Sequence, residues 1–145
     1  MIAIKARVYD VLQEGREKAQ VMKELILQPQ SEIAQLRGFF RSEGYEIVKE
    51  DMVYEDGKYY PVIKAIPGKM KENISVFEQE VYDLFGPYLL EQKHPVLKQY
   101  LIYSCGMMEG LRNRLETQKS ERALARLPEV NAELAHIYSA LKWYE

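Results

Sequence analysis

Asp56-Gly57 stands between two runs of strand-forming residues, Tyr45 to Tyr54 (Y-E-I-V-K-E-D-M-V-Y) and Lys58 to Ile66 (K-Y-Y-P-V-I-K-A-I). Asp-Gly tolerates the positive φ angles of a tight hairpin turn, so the pair predicts two antiparallel strands joined across Glu55-Asp56-Gly57. Upstream, Val21 to Leu27 (V-M-K-E-L-I-L) is short and rich in apolar residues. Pro29 has no N–H to give a ladder and restricts the residue before it, which ends this strand at Gln28. Ser31 suits the N-cap of a helix from Glu32 to Ser42, with Ile33, Leu36, Phe39 and Phe40 on one face and Gly44 as its stop. A strand–helix–strand crossover sets its two strands parallel, and the returning strand of the hairpin fits between them. The expected fold is α/β, the end portion of a Rossmann-like sheet with about three strands, the last two a hairpin. In such a sheet the run ending at Gln28 is an open edge that asks for a neighbour. Ahead of it, Ile2 to Lys18 carries Ile4, Val8, Val11 and Leu12 at near-helical spacing with Gly15 near the end, which predicts a helix.

From Pro67 to His94 the chain reads as a connector with its own packing residues, Val76, Phe77, Val81, Tyr82, Leu84, Phe85, Tyr88 and Leu89, and a turn at Gly86-Pro87. After Pro95 it becomes purely helical. Leu97, Leu101, Ser104, Met108, Leu111 and Leu115 recur at alternating steps of four and three, as do Val130, Leu134, Ile137, Leu141 and Tyr144. That 3.5-residue period predicts an antiparallel coiled-coil hairpin, and Pro128 places its tip near Arg126 to Glu129. The chain thus divides into a sheet remnant (1–68), a connector (69–94) and a helical hairpin (95–145).

Composition excludes several classes. A net charge of −2 on 145 residues supplies no global field toward nucleic acid, so any such contact must be a local patch. Cys105 is the single cysteine, which rules out an internal disulfide and a cysteine-rich zinc site. His94 and His136 are too far apart in sequence to suggest a metal cluster, and no role follows for either. No apolar run suits a membrane span, and Met1 to Asp10 lacks the features of a signal peptide, so a cytoplasmic protein without a membrane partner is expected.

Several segments together resemble a known family. Leu25-Ile26-Leu27-Gln28-Pro29-Gln30 is similar to its leucine-rich strand ending in Leu-Gln-Pro, and Gly44-Tyr45-Glu46-Ile47-Val48 to its G-(F/Y)-x-I-V signature. Asp56-Gly57-Lys58-Tyr59-Tyr60 and Phe85-Gly86-Pro87-Tyr88-Leu89 match its G-K-(F/Y)-Y and F-G-P-x-L elements, and a helical hairpin follows. The family is the bacterial tRNA adenine-N1 methyltransferases, the TrmK family. The resemblance implies S-adenosylmethionine as methyl donor and a D-arm adenine, position 22, as target. It also implies a longer chain that begins with a strand and a glycine-rich turn for the donor. These 145 residues have no G-x-G-type loop after a strand and no acidic residue at a strand end to take ribose hydroxyls. Pro61 stands where the family tends to have an acidic residue. The expectation is therefore a family member's C-terminal portion that binds no donor and is inactive alone. The alternative is a non-catalytic RNA- or protein-binding module of the same descent.

What remains for chemistry is the acceptor side. In doubly wound sheets ligands sit beyond the carboxyl ends of the parallel strands, where Gln28, Pro29 and Gln30 fall. A Gln side chain both donates to and accepts from a purine edge, although these residues also serve simply to end a strand and start a helix. Tyr59 and Tyr60 face opposite sides of the returning strand, and a tyrosine there either stacks on a flipped base or packs across strands. Arg112, Lys119, Arg122 and Arg126 align on one face if a single unbroken helix carries them, with Arg114 nearby. This stripe either follows a tRNA backbone or is an ordinary solvated face. Met107, Met108, Tyr138, Trp143, Tyr144 and Cys105 read as packing residues. Self-association through the exposed strand edge or the hairpin is a further expectation.

Overall fold

The computed structural model describes residues 2–5, 25–28, 32–69 and 74–145. In chain order the elements are β1 (Ile2–Lys5), β2 (Leu25–Gln28), α1 (Ile33–Glu43), β3 (Tyr45–Glu55) and β4 (Lys58–Pro67). They are followed by α2 (Val76–Phe85), α3 (Pro87–Glu91), α4 (Pro95–Gln118), α5 (Glu121–Leu141) and a closing 3-10 turn (Lys142–Tyr144). The strands form one four-stranded sheet in the order β1-β2-β4-β3. β2 and β3 run parallel through the α1 crossover, and β4 returns between them, antiparallel to both. Asp56 (φ 50) and Gly57 (φ 77) make the turn, both in the left-handed region that a two-residue hairpin requires.

Two expectations about the sheet are corrected. Ile2–Lys5 is a strand and not the start of a helix, and it pairs in parallel with β2 from Ile2 opposite Leu25 to Lys5 opposite Gln28. Spacing over so few apolar residues does not separate helix from strand, and pairing with β2 decides the matter. The remainder of the expected helix, residues 6–24, lies outside the described residues. In consequence the run ending at Gln28 is flanked on both sides, by β1 and β4, and is not an edge. Among the described residues the open edge on that side belongs to β1.

Helix α1 begins after Glu32, which takes a left-handed conformation (φ 57) with no side-chain cap, and it ends on Gly44 (φ 79), whose N–H bonds Phe40 O. The expected cap Ser31 lies outside the described residues. Helix α2 starts with a capping box: Ser75 Oγ accepts from Glu78 N, and the Glu78 carboxylate accepts from Ser75 N. Gly86, with φ 89 and ψ 119, turns the chain from α2 into α3. Val81, Phe85, Leu89 and Leu90 are buried here, whereas Val76, Phe77 and Leu84 are exposed, contrary to the packing role expected of them. Phe77 sits one turn before Val81, past the rim of the core, and stacks on the His136 ring instead.

The hairpin forms along the spacing seen in the sequence. Leu97, Leu101 and Leu115 on α4 and Val130, Leu134 and Ile137 on α5 are buried, each contributing about 1.5–3 kcal/mol. Its tip, however, is at Lys119-Ser120 and not at Arg126–Glu129. Lys119 adopts φ 51, and Ser120 Oγ accepts from Ala123 N, so α5 starts seven residues before Pro128. Pro128 lies exposed inside α5; it forgoes one backbone hydrogen bond, and burial of the seam on either side of it holds the helix. One core cluster joins Met52 of β3 to Val81, Phe85, Leu89 and Leu90 of α2 and α3 and to Leu97, Leu101, Ile137 and Ala140 at the hairpin base. A second, of Leu115, Ala123, Val130 and Leu134, lies toward the tip.

Candidate functional site

Gln28 closes β2 opposite Lys5 at the carboxyl end of the parallel pair. Leu27 lies opposite Ile63 of β4, which puts Gln28 level with Val62, so Tyr60 and Tyr59, two and three residues back from Val62, overhang that end by roughly 7–10 Å. The two tyrosines therefore sit at the end of the sheet where this fold class places ligands. Pro29 and Gln30 lie outside the described residues. The Tyr59 ring is edge-on to Tyr100 of α4 (5.1 Å between centroids, 66°) and tilted against Tyr54 of β3 at 4.7 Å. Strand alternation sends the half-buried Tyr60 to the other face. Tyr59 thus packs across strands, and Tyr60 is the one of the pair turned away from the α4 side.

The outer strand β3 is clasped by charge. Arg37 of α1 donates Nε to Glu50 Oε1 (2.9 Å) and Nη1 to Asp83 O (2.6 Å), while Glu50 Oε2 accepts the Tyr88 N–H at 3.1 Å. Arg41 donates two bonds to Asp83, 2.7 and 3.0 Å, and Gln79 Nε2 adds a third at 2.9 Å. Residue patterns alone missed this clasp; its one signal is Arg37 set beside Leu36 in the apolar face of α1. Next to it opens a groove of about 460 Å³ lined by Glu46, Ile47, Tyr82, Asp83, Tyr88 and Glu91 among others. Burial, followed by nearby carboxylates including Glu91, raises the phenols of Tyr82 and Tyr88 above their ordinary value. Ile47 is level with Ala65 and hence with Leu25, so the groove lies at the amino end of β2, away from Tyr59 and Tyr60.

The basic residues do not form one stripe. The turn at Lys119-Ser120 assigns Arg112 and Arg114 to α4 and Arg122 and Arg126 to α5, so the single-helix alignment fails. Arg114, Lys119, Arg122 and Arg126 are all exposed around the tip, whereas Arg112 is half-buried. Met107 and Tyr138 are exposed rather than packed, and Tyr138 Oη donates to Glu109 Oε1 at 2.7 Å. Met108, Trp143 and Tyr144 do pack on the core, as does Cys105, whose thiol burial and Glu109 push up. Both histidines have acid partners that the sequence did not reveal: His94 Nε2 meets Asp51 Oδ1, and His136 Nε2 meets Glu80 Oε2, each at 2.7 Å. Val96 N–H donates to His94 Nδ1, so Nε2 carries the proton toward Asp51.

Among the described residues no group of three His, Cys, Asp or Glu side chains is placed to hold a metal, and no helix is long and apolar enough to cross a membrane. The described glycines with positive φ are Gly44, Gly57 and Gly86, at a helix end, a hairpin turn and a helix–helix joint.

Crossover, returning strand and appended helices define an α/β protein with a Rossmann-like sheet extended by a helical hairpin. Residues 5–138 match the family model described as TrmK, tRNA (adenine(22)-N(1))-methyltransferase, and the chain belongs to that family. It is 26% identical over 126 residues to the tRNA (adenine(22)-N(1))-methyltransferase of Bacillus subtilis (strain 168), covering 84% of this chain and 53% of that one. A Streptococcus pneumoniae structure described as a putative tRNA (m1A22) methyltransferase superimposes with a TM-score of 0.79 at 27% identity, covering 97% of this chain and 60% of that chain. The same protein in complex with S-adenosyl-L-methionine gives 0.74 at 25% identity, over 96% and 59%. The chain spans about half the length of the curated relative it matches (53%).

Proposed function

We propose that these residues are the acceptor side of an S-adenosylmethionine-dependent tRNA adenine-N1 methyltransferase acting on the D-arm adenine at position 22. The observation that carries this reading is the match over residues 5–138 to a family so described. Gln28 and Tyr60, at the ligand end of the sheet, together with Pro29 and Gln30, which follow Gln28 in the sequence, hold the edge and face of the adenine, and Tyr59 braces the strand that carries Tyr60. The donor-binding strands of the fold pair along the open edge of β1, and the 145 residues by themselves neither bind the donor nor transfer methyl. Arg114, Lys119, Arg122 and Arg126 at the hairpin tip take tRNA phosphates, each contact releasing counterions and steepening the salt dependence.

A gel-shift titration with an unmodified tRNA transcript over a salt series, with calorimetry against S-adenosylmethionine, tests both parts. The expected result is tRNA binding that falls steeply with salt, a slope lowered by about 1 in Arg122→Ala and again in Arg126→Ala, and no heat from the donor. Salt-independent or absent tRNA binding overturns the RNA reading, and micromolar donor binding overturns the division of labour.

A further inference from the structure

We infer that Tyr54 and Tyr103 form a stacking platform for an unpaired base of the RNA, on the face of the sheet opposite Tyr60 and separate from the basic tip. This rests on the tRNA reading above and adds a second point of base recognition to it. Tyr54 and Tyr103 are 48% and 59% exposed, and Met107, one turn beyond Tyr103, is 57% exposed. Large apolar side chains so open to water, gathered at one end of a sheet, mark a binding surface. Tyr54 pairs opposite Tyr59 in the sheet, and Tyr103 lies one turn beyond Tyr100, whose ring meets Tyr59. The inner side of Tyr54 is braced by Tyr59 at 4.7 Å, and Tyr59 in turn by Tyr100 at 5.1 Å. An aromatic ring held from behind and open in front offers a stacking face with little conformational entropy left to lose.

The surroundings select the ligand chemistry. Glu55 and Lys58 pair opposite each other at the end of the hairpin and alternate away from Tyr54 and Tyr59, so neither charge faces the platform, which accepts a neutral ring. Tyr103, Met107, Gly110 and Arg114 follow at steps of four, three and four along α4, one face of the helix, so the first cation along this surface is Arg114. A Cβ at Gly106 or Gly110 would meet nothing within 4 Å, so the surface between platform and cation is shallow and open to a sugar–phosphate chain. A base on Tyr103 with its backbone running toward Arg114 satisfies both ends. An apolar protein partner would leave Arg114 without a counter-charge.

The test is fluorescence anisotropy of a labelled tRNA transcript with the 145-residue protein and its Tyr54→Ala, Tyr103→Ala, Tyr103→Phe and Arg114→Ala variants, each at several salt concentrations, with circular dichroism and light scattering on every sample. Expected are a roughly tenfold weaker affinity for either Tyr→Ala variant with an unchanged salt slope, near-wild-type affinity for Tyr103→Phe, and a slope lowered by about 1 for Arg114→Ala. If the wild type binds with a steep salt slope and both folded Tyr→Ala variants bind within twofold of it, the platform is overturned while the tRNA reading stands. If the wild type binds no tRNA, both fall. If the wild type is a dimer that Tyr103→Ala turns into a monomer, the surface serves a second copy and the platform is overturned.

Discussion

Arg37 and Glu50 form an ion pair with side chains only 2% and 0% exposed, Nε to Oε1 at 2.9 Å. Each partner also holds a backbone group of the α2–α3 segment, Arg37 the carbonyl of Asp83 and Glu50 the N–H of Tyr88. The pair thereby ties crossover helix, edge strand and the Phe85-Gly86-Pro87 joint into one unit. Among the described residues no buried side-chain polar atom is left without a hydrogen-bond partner, which is the condition under which such burial is tolerated.

Removing one partner should be far worse than removing both. Arg37→Met or Glu50→Leu strands a buried charge and is expected to cost about 3–5 kcal/mol in urea denaturation. The double variant should lose clearly less than the sum of the two, and strict additivity would show that the groups do not act as a pair.

Gly86 and Gly106 should respond oppositely to alanine. A Cβ at Gly86 (φ 89) would sit 2.5 Å from Glu50 Oε2 and 2.7 Å from Arg37 Nη2, so Gly86→Ala breaks the clasp and is expected to cost about 2 kcal/mol or more. Gly106 lies inside α4 with open space around it, and Gly106→Ala should stabilise by up to about 1 kcal/mol. Thermal melts compare the two directly.

His94 serves α4 as its N-cap, since Nδ1 accepts the Val96 N–H at 3.2 Å. His94→Ala should cost about 1 kcal/mol, and His94→Asn, which can still cap, should recover most of it. Equal melting temperatures for the two variants would remove the capping role.

Burial pushes the Tyr144 phenol up to about 12 from 10.0. The folded chain keeps this proton when the unfolded chain has begun to release it. The resulting stabilisation is complete below pH 10 and is lost as pH rises toward about 12. The phenols of Tyr45, Tyr82 and Tyr88 are also raised and act in the same direction. Tyr144→Phe should therefore flatten, without abolishing, the fall in urea midpoint above about pH 10; an unaltered slope would contradict the assignment.

The β3–β4 hairpin was readable from Asp56-Gly57, and the place of β4 between parallel β2 and β3 followed from the crossover, because turn chemistry and chain connectivity are local or topological. The buried seam of the hairpin was readable for the same reason, as period alone decides which residues face inward. Its tip was not: Pro128 is the stronger breaker in isolation, yet Ser120 as cap and the packing of Val130 and Leu134 carry α5 through it. Of the acceptor end, its location was legible but not the division between Tyr59, which packs against Tyr100, and Tyr60, because that depends on which face α4 covers. The acid partners of His94 and His136 join residues 43 and 56 positions apart, beyond any local pattern.

The β3–β4 hairpin, the crossover helix and the buried seam of α4 and α5 were thus determined by residue order, since backbone preference and hydrophobic period act over a few neighbours. Tertiary structure alone decided that Ile2–Lys5 pairs with β2, that Arg37 and Glu50 meet, and that Arg112 parts from Arg122 and Arg126. Those outcomes depend on desolvation and hydrogen bonding between segments far apart in the chain, which only the closed fold brings within reach.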